Sequence, residues 1–163
     1  MRKVSSGIIP AAGFLLVLVT LRGAFAQPVK SDHWSPGELL ERAKALQQMA
    51  AEKGSASVIL EKYPHHYTML AFRNRNGGGE AHQNFADLFY ILDGHATVVT
   101  GGEVVEPKTT APGETLGTSV KGGTQQDVKA GDVVHIPAGM PHQMVVPGGE
   151  TVTYFVVKVE ESR

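Results

Sequence analysis

From Ser57 onward the sequence is a succession of short runs rich in Val, Ile, Thr, Tyr and Phe, each closed by glycine, proline or a polar turn. Branched and aromatic side chains of this kind pack well on a half-buried pleated surface, so the runs read as strands. Residues 57–63 and 66–73 form the first two. Asn74-Arg75-Asn76-Gly77-Gly78-Gly79 is a polar turn. Residues 87–92 and 95–100 flank Asp93-Gly94, which predicts a two-residue hairpin. Gly101-Gly102 turns the chain into residues 103–106, and residues 132–136, 143–146 and 151–159 complete the set, with Gly148-Gly149 between the last two. Residues 107–124, rich in Pro, Gly and Thr, read as a long loop of the functional or mobile kind. Many short strands with frequent turns predict an all-β sandwich or barrel, and no repeat or second domain interrupts it.

One segment before the strands has a different period. Ser35 can cap a helix, Pro36 sits at a first-turn position where a missing N–H is harmless, and Glu38 completes a capping box. Leu39, Ala43, Leu46 and Ala50 share one face, and Gly54 supplies the stop. This is an amphipathic helix to be laid against the outside of the barrel. Residues 27–34 before it read as a mobile leader.

The first 26 residues are not expected in the fold. Arg2 and Lys3, the apolar run 7–21 and Ala24-Phe25-Ala26 have the layout of a cleavable secretory signal, with cleavage before Gln27. An uncleaved anchor is the alternative, but the run is shorter than the ~20 residues a bilayer crossing needs. The reading is therefore a secreted or periplasmic protein without stable membrane insertion. Its parts are a signal peptide (1–26), a leader with helix (27–56) and a barrel (57–163). Losing Arg2, Lys3 and Arg22 leaves 12 basic and 16 acidic side chains, so no basic stripe remains for nucleic acid. The chain has no cysteine, which excludes disulfides and thiolate metal sites.

Two patches carry chemistry. The first is Glu80-Ala81-His82, four residues, Asp87, six residues, Gly94. The second is Gly131, five residues, Pro137-Ala138-Gly139, two residues, His142. Residues two apart on a strand point to one face, so Glu80 and His82 project together. Asp87 alternates with Phe89 and Ile91 as an inward-facing set. The bend at 137–139 can swing His142 back over the interior. Two carboxylates and two imidazoles converging on one point are costly without a cation, and both are suitable ligands for a divalent one. His135, on a strand seven residues before His142, is a weaker candidate as a catalytic proton carrier lining the pocket. His65, His66 and His95 read as surface groups. Phe89, Ile91, Tyr154 and Phe155 read as core or pocket wall. Neither a nucleophile elbow at 117–121 nor a phosphate-binding loop is present.

Over roughly residues 66–159 these patches resemble the two motifs of the cupin superfamily. The second is the sharper match, with Gly131, Pro137, Gly139 and His142 in place and Val146 where the family has asparagine. In the first, Glu80 stands for the usual first histidine and Asp87 for the usual glutamate. Reading that motif with a shorter spacing would put Gln83 in the second histidine's place and leave His82 pointing outward, a weaker fit. The resemblance implies a double-stranded β-helix, the jelly-roll cupin barrel, with a metal inside its mouth held by Glu80, His82, Asp87 and His142. Two carboxylates make a harder ligand set that favours Mn²⁺ or Fe²⁺ without excluding Zn²⁺. Asp87 is one methylene shorter than glutamate, which makes a water-bridged contact an alternative to direct ligation.

Cupin barrels host many functions, so the fold does not name the reaction. The leading expectation is a small exported metalloenzyme, of oxygenase, isomerase or lyase type, acting on a small polar or aromatic molecule, with residues 107–124 as a lid. The second is a non-catalytic periplasmic module that binds a small ligand and keeps a structural ion. The family's habit of pairing across a sheet edge adds a homodimer to the expectations.

Overall fold

The computed structural model describes residues 31–161. The expected signal segment and residues 27–30 lie outside the described residues. Helix α1 (Pro36–Lys53) starts and stops where its capping residues dictate. The Ser35 hydroxyl accepts from the Glu38 amide, the Glu38 carboxylate accepts from Ser35 N–H, and Gly54 closes the helix in the left-handed region at φ 84°. Leu39, Ala43, Leu46 and Ala50 are the buried face, and they pack on Leu70 and Phe72. Trp34, expected in a mobile leader, is instead half-buried against this cluster, with its ring 6.1 Å from that of Phe155. It occupies the position before the cap, where an apolar side chain can staple the first turn.

The strands are β1 (Ser55–Lys62), β2 (His66–Arg73), β3 (Gly79–His82), β4 (Phe85–Thr100), β5 (Glu103–Val105), β6 (Lys108–Ala111), β7 (Glu114–Gly117), β8 (Ser119–Lys121), β9 (Thr124–Lys129), β10 (Val133–Ile136), β11 (His142–Val145) and β12 (Val152–Glu160). All pairings among the described residues are antiparallel. The main path runs β1-β2-β12-β4-β11-β3-β7-β6, with β9 and β10 also on β4 and a separate β5-β8 ribbon. This is the curled antiparallel sheet of a jelly-roll barrel, with helix α1 outside it.

The predicted hairpin at Asp93-Gly94 does not form. Residues 85–100 are one strand, whose first half pairs with β10 and β12 and whose second half pairs with β9 and β11. Opposite β12 the register passes from Ile91 to Asp93, so Leu92 is an extra residue, and Gly94 follows at φ 77°. A side chain at Gly94 would meet the Thr151 carbonyl, since a Cβ there would lie 2.0 Å from its oxygen. The extra residue exchanges the two faces of the strand. Before it Asp87, Phe89 and Ile91 point inward, and after it Ala96 and Val98 do. Both halves thereby contribute to one core with Ile136, Val152 and Val156.

Residues 107–124 are also ordered differently from the expected loop. They form β6, β7 and β8, and β7 pairs with β3 and so walls the site.

Candidate metal centre

Strand register assembles the site. Glu80 on β3 stands directly opposite His142 on β11, His82 opposite Glu114 on β7, and Asp87 on β4 opposite Lys158 on β12. The turn before β11 is bent at Gly139, φ 79°, and its amide donates to the His82 carbonyl. That bond docks the turn on β3 and sets His142 in register with Glu80. Gln143 pins the neighbouring loop, donating to the Gly77 carbonyl and accepting from the Val120 amide.

Four side chains singled out from the sequence meet here. His82, Asp87 and His142 are buried and Glu80 is partly so. One potential ligand atom each from Glu80, His82 and His142 lies within 4.8 Å of the others. His82 Nε2 is 3.5 Å from Glu80 Oε2 and 3.6 Å from Asp87 Oδ2, and His142 Nε2 is 3.5 Å from the same Asp87 oxygen. Asp87 thus touches both imidazoles but stands outside the tighter three-residue group. His135, read as a candidate proton carrier, is elsewhere: it is exposed on β10, where the buried neighbours Val134 and Ile136 take the inward face. Gln83 is likewise exposed.

The ring nitrogens have divided roles. His142 Nδ1 lies 3.1 Å from the Met140 carbonyl, and His82 Nδ1 lies 2.5 Å from Glu114 Oε2. Both partners are acceptors, so each Nδ1 is placed to donate, and each Nε2 faces the site, where a neutral ring would offer it as a ligand. His82 Nε2 is buried and has no hydrogen-bond partner.

The carboxylates are divided in the same way. Arg73 Nη2 donates to Glu80 Oε1 at 3.2 Å, while its Nε donates to the Tyr154 hydroxyl at 3.0 Å. Lys158 Nζ lies 2.6 Å from Asp87 Oδ1. Each acid has one oxygen held by a cation and the other facing the imidazoles. Burial pushes the Glu80 carboxyl up, but contact with His82 and the charges of His142 and Arg73 outweigh it and hold it low. Asp87 is held low against burial by His142 and Lys158. For His82, burial favours the neutral ring, yet contact with Glu80, Asp87 and Glu114 raises its pKa overall. Arg73, Lys158 and Glu114 escaped the sequence reading, whereas Tyr154, expected as core or pocket wall, is buried and lines the cavity. Arg73 and Lys158 had a signal: Lys158 continues the inward face of Tyr154 and Val156, and a charge on such a face asks for a partner.

Beside the cluster lies a cavity of about 350 Å³. Arg73, Glu80, Asp87, His142 and Lys158 give it charged and ligating groups, and Met69, Phe89, Met144, Tyr154 and Val156 are among the other residues that line it.

A curled antiparallel sheet with two histidines and two acids gathered inside it defines a class of small barrel proteins built around an internal polar centre. Residues 113–158 match the family model of the cupin domain. The fold is similar to that of the TT1209 protein from Thermus thermophilus (16% identity, TM-score 0.52, covering 73% of this chain and 94% of that one). It is also similar to the Cnp3 cupin domain of Schizosaccharomyces pombe (14% identity, TM-score 0.50, covering 66% of this chain and 65% of that one). No curated protein matches the sequence. The matched stretch is thus similar to the cupin domain, and the fold as a whole is that of cupin-like barrels. The family match includes His142, Glu114 and Lys158 but stops short of Glu80, His82 and Asp87, whose place in the site rests on the geometry above.

Proposed function

We propose that Glu80, His82, Asp87 and His142 hold one divalent metal ion and that the protein is a small exported metal-dependent enzyme acting on a small molecule in the adjoining cavity. One observation carries the reading. Both imidazoles have Nδ1 tied to an acceptor, and the freed Nε2 atoms, that of His82 buried and unpartnered, face carboxylate oxygens at 3.5–3.6 Å. That separation is long for a hydrogen bond but close to the ~3.4 Å edge between ligands sharing a cation at about 2.1 Å. The residues fit the group.

When bound, such an ion would supply Lewis acidity and open positions for a substrate's oxygen atoms. The chain's own residues do the rest. Arg73 and Lys158 each occupy one carboxylate oxygen and leave the other free to ligate. Glu114 and the Met140 carbonyl fix the ring orientations. Met69, Phe89, Met144 and Val156 exclude water from the face where a substrate would lie. The apolar run of residues 7–21 with Ala24-Phe25-Ala26 supports export.

Elemental analysis of the purified full chain tests the reading, with about one ion per chain expected. A chain that retains none of Mn²⁺, Fe²⁺ and Zn²⁺ after dialysis would overturn it. His142→Ala then separates an enzyme from a binding module with a structural ion: the enzyme loses turnover with the barrel still folded, the module loses thermal stability together with its ion.

A further inference from the structure

The cavity has a charge balance that says what it should bind. Arg73 and Lys158 bring two positive charges, and Glu80, Asp87 and Glu114 bring three negative ones. Without an ion the site is negative by one charge; with a divalent ion it is positive by one. The sign change occurs among side chains that are buried or partly buried, where charges are less screened than on the surface. Lys158 adds a directional element. Its Nζ is buried 2.6 Å from Asp87 Oδ1, and that one oxygen cannot accept from all three of its N–H groups. Buried donors without acceptors are costly, and a ligand that supplies one gains accordingly. The rest of the lining, with Met69, Phe89, Met144 and Val156, carries no further charged side chain.

We infer that the ion-loaded cavity binds a small organic acid as its anion, with the carboxylate directed toward Lys158 and an apolar body against Met69, Phe89, Met144 and Val156. This inference rests on the metal-site reading above and names the substrate class of that site. The two cationic side chains explain why the anion is accepted: with Arg73 and Lys158 nearly balancing the protein's acids, the charge of the ion is left for the ligand. Neutral molecules of the same shape lack this attraction, and amines are repelled.

The test is calorimetric titration of the full chain, loaded in turn with Mn²⁺ and Zn²⁺, with benzoate, benzamide and benzylamine. Benzoate should bind at least about tenfold more tightly than benzamide, and benzylamine should not bind. Stripping the ion with a chelator should abolish the preference for benzoate. Lys158→Met should weaken benzoate about tenfold and benzamide by clearly less, because only benzoate also loses a charge partner. Equal affinity for benzoate and benzamide, or binding of neither, in a chain shown to contain its ion would overturn the inference and leave the metal site standing. A chain that retains no ion removes the metal site and this inference together. The wild-type comparison of benzoate with benzamide decides the matter even if Lys158→Met fails to fold.

Discussion

Lys158 and Asp87 face each other directly across the β4–β12 ladder, with Nζ 2.6 Å from Oδ1 and the aspartate fully buried. The pair is held by backbone register rather than by long side chains finding one another, so it persists whether or not anything else occupies the site. Its energetics follow from burial. Such a pair adds little net stability over an apolar one, but removing a single member leaves a charge with no solvent.

Lys158→Met is therefore expected to cost about 3–5 kcal/mol of unfolding free energy in the ion-free protein. The double variant Lys158→Met with Asp87→Leu should recover much of that loss, because no orphan charge remains. Urea denaturation of chelator-treated protein measures both. A double variant no more stable than the single one contradicts the argument.

Glu114→Gln keeps the shape of the side chain but weakens the acceptor at His82 Nδ1. Loss of such an outer partner typically lowers metal affinity 10- to 100-fold, and that is the expectation here. Competition with a chromogenic chelator reads it directly. The far-ultraviolet circular dichroism should stay unchanged.

The pH dependence has a definite sign. His82 must lose its proton to ligate, and its pKa in the ion-free fold is raised above the ordinary 6.5. Metal affinity should thus begin to fall as pH drops while still above 6.5, approaching a tenfold loss per pH unit. Stability of the ion-free protein follows the same groups. The His82 contribution is fully present below the unfolded value near 6.5 and is lost as pH rises through the raised folded value. Glu80 and Asp87 have lowered values, so their contributions are present above the unfolded values of 4.5 and 3.8 and are lost as pH falls through the folded ones. Urea midpoints across pH 3 to 9, with and without added metal, check each limb.

Gly94→Ala introduces a Cβ into the Thr151 carbonyl at a φ of 77°. Backbone strain of this kind costs roughly 1–3 kcal/mol, and the collision with a main-chain atom adds to it. A melting temperature within a degree of the parent would show that the bulge can rearrange.

Much of this molecule is legible in its sequence, and what is not has a common physical origin. Helix α1 is bounded by local groups, Ser35, Glu38 and Gly54, which act within a few residues and can be read as they stand. The inward set Asp87, Phe89 and Ile91 follows from alternation alone. Asp93-Gly94 misleads because a tight turn and a bulge ask for the same residues, and only the partners of each flanking half decide between them. Residues 107–124 lack apolar alternation because β6 is wholly exposed and β7 half-covered, so pairing shapes them without a core to mark it. Arg73, Glu114 and Lys158 reach the cluster through register across three separate ladders, a relation between distant segments. The cluster's histidines and acids were visible because they fall in two short stretches, whereas the groups that orient them do not.

The surplus residue at Leu92 has a consequence for the chemistry as well as for the core. Asp87 lies on one side of it, and Thr100, which stands beside His142, lies on the other. A single strand therefore sets the spacing between two of the assembled groups, and the bulge works like a vernier between them. Deleting one residue there would turn Ala96 and Val98 to solvent and carry the histidine's neighbour about 3.4 Å along the strand, farther than any coordination bond can stretch.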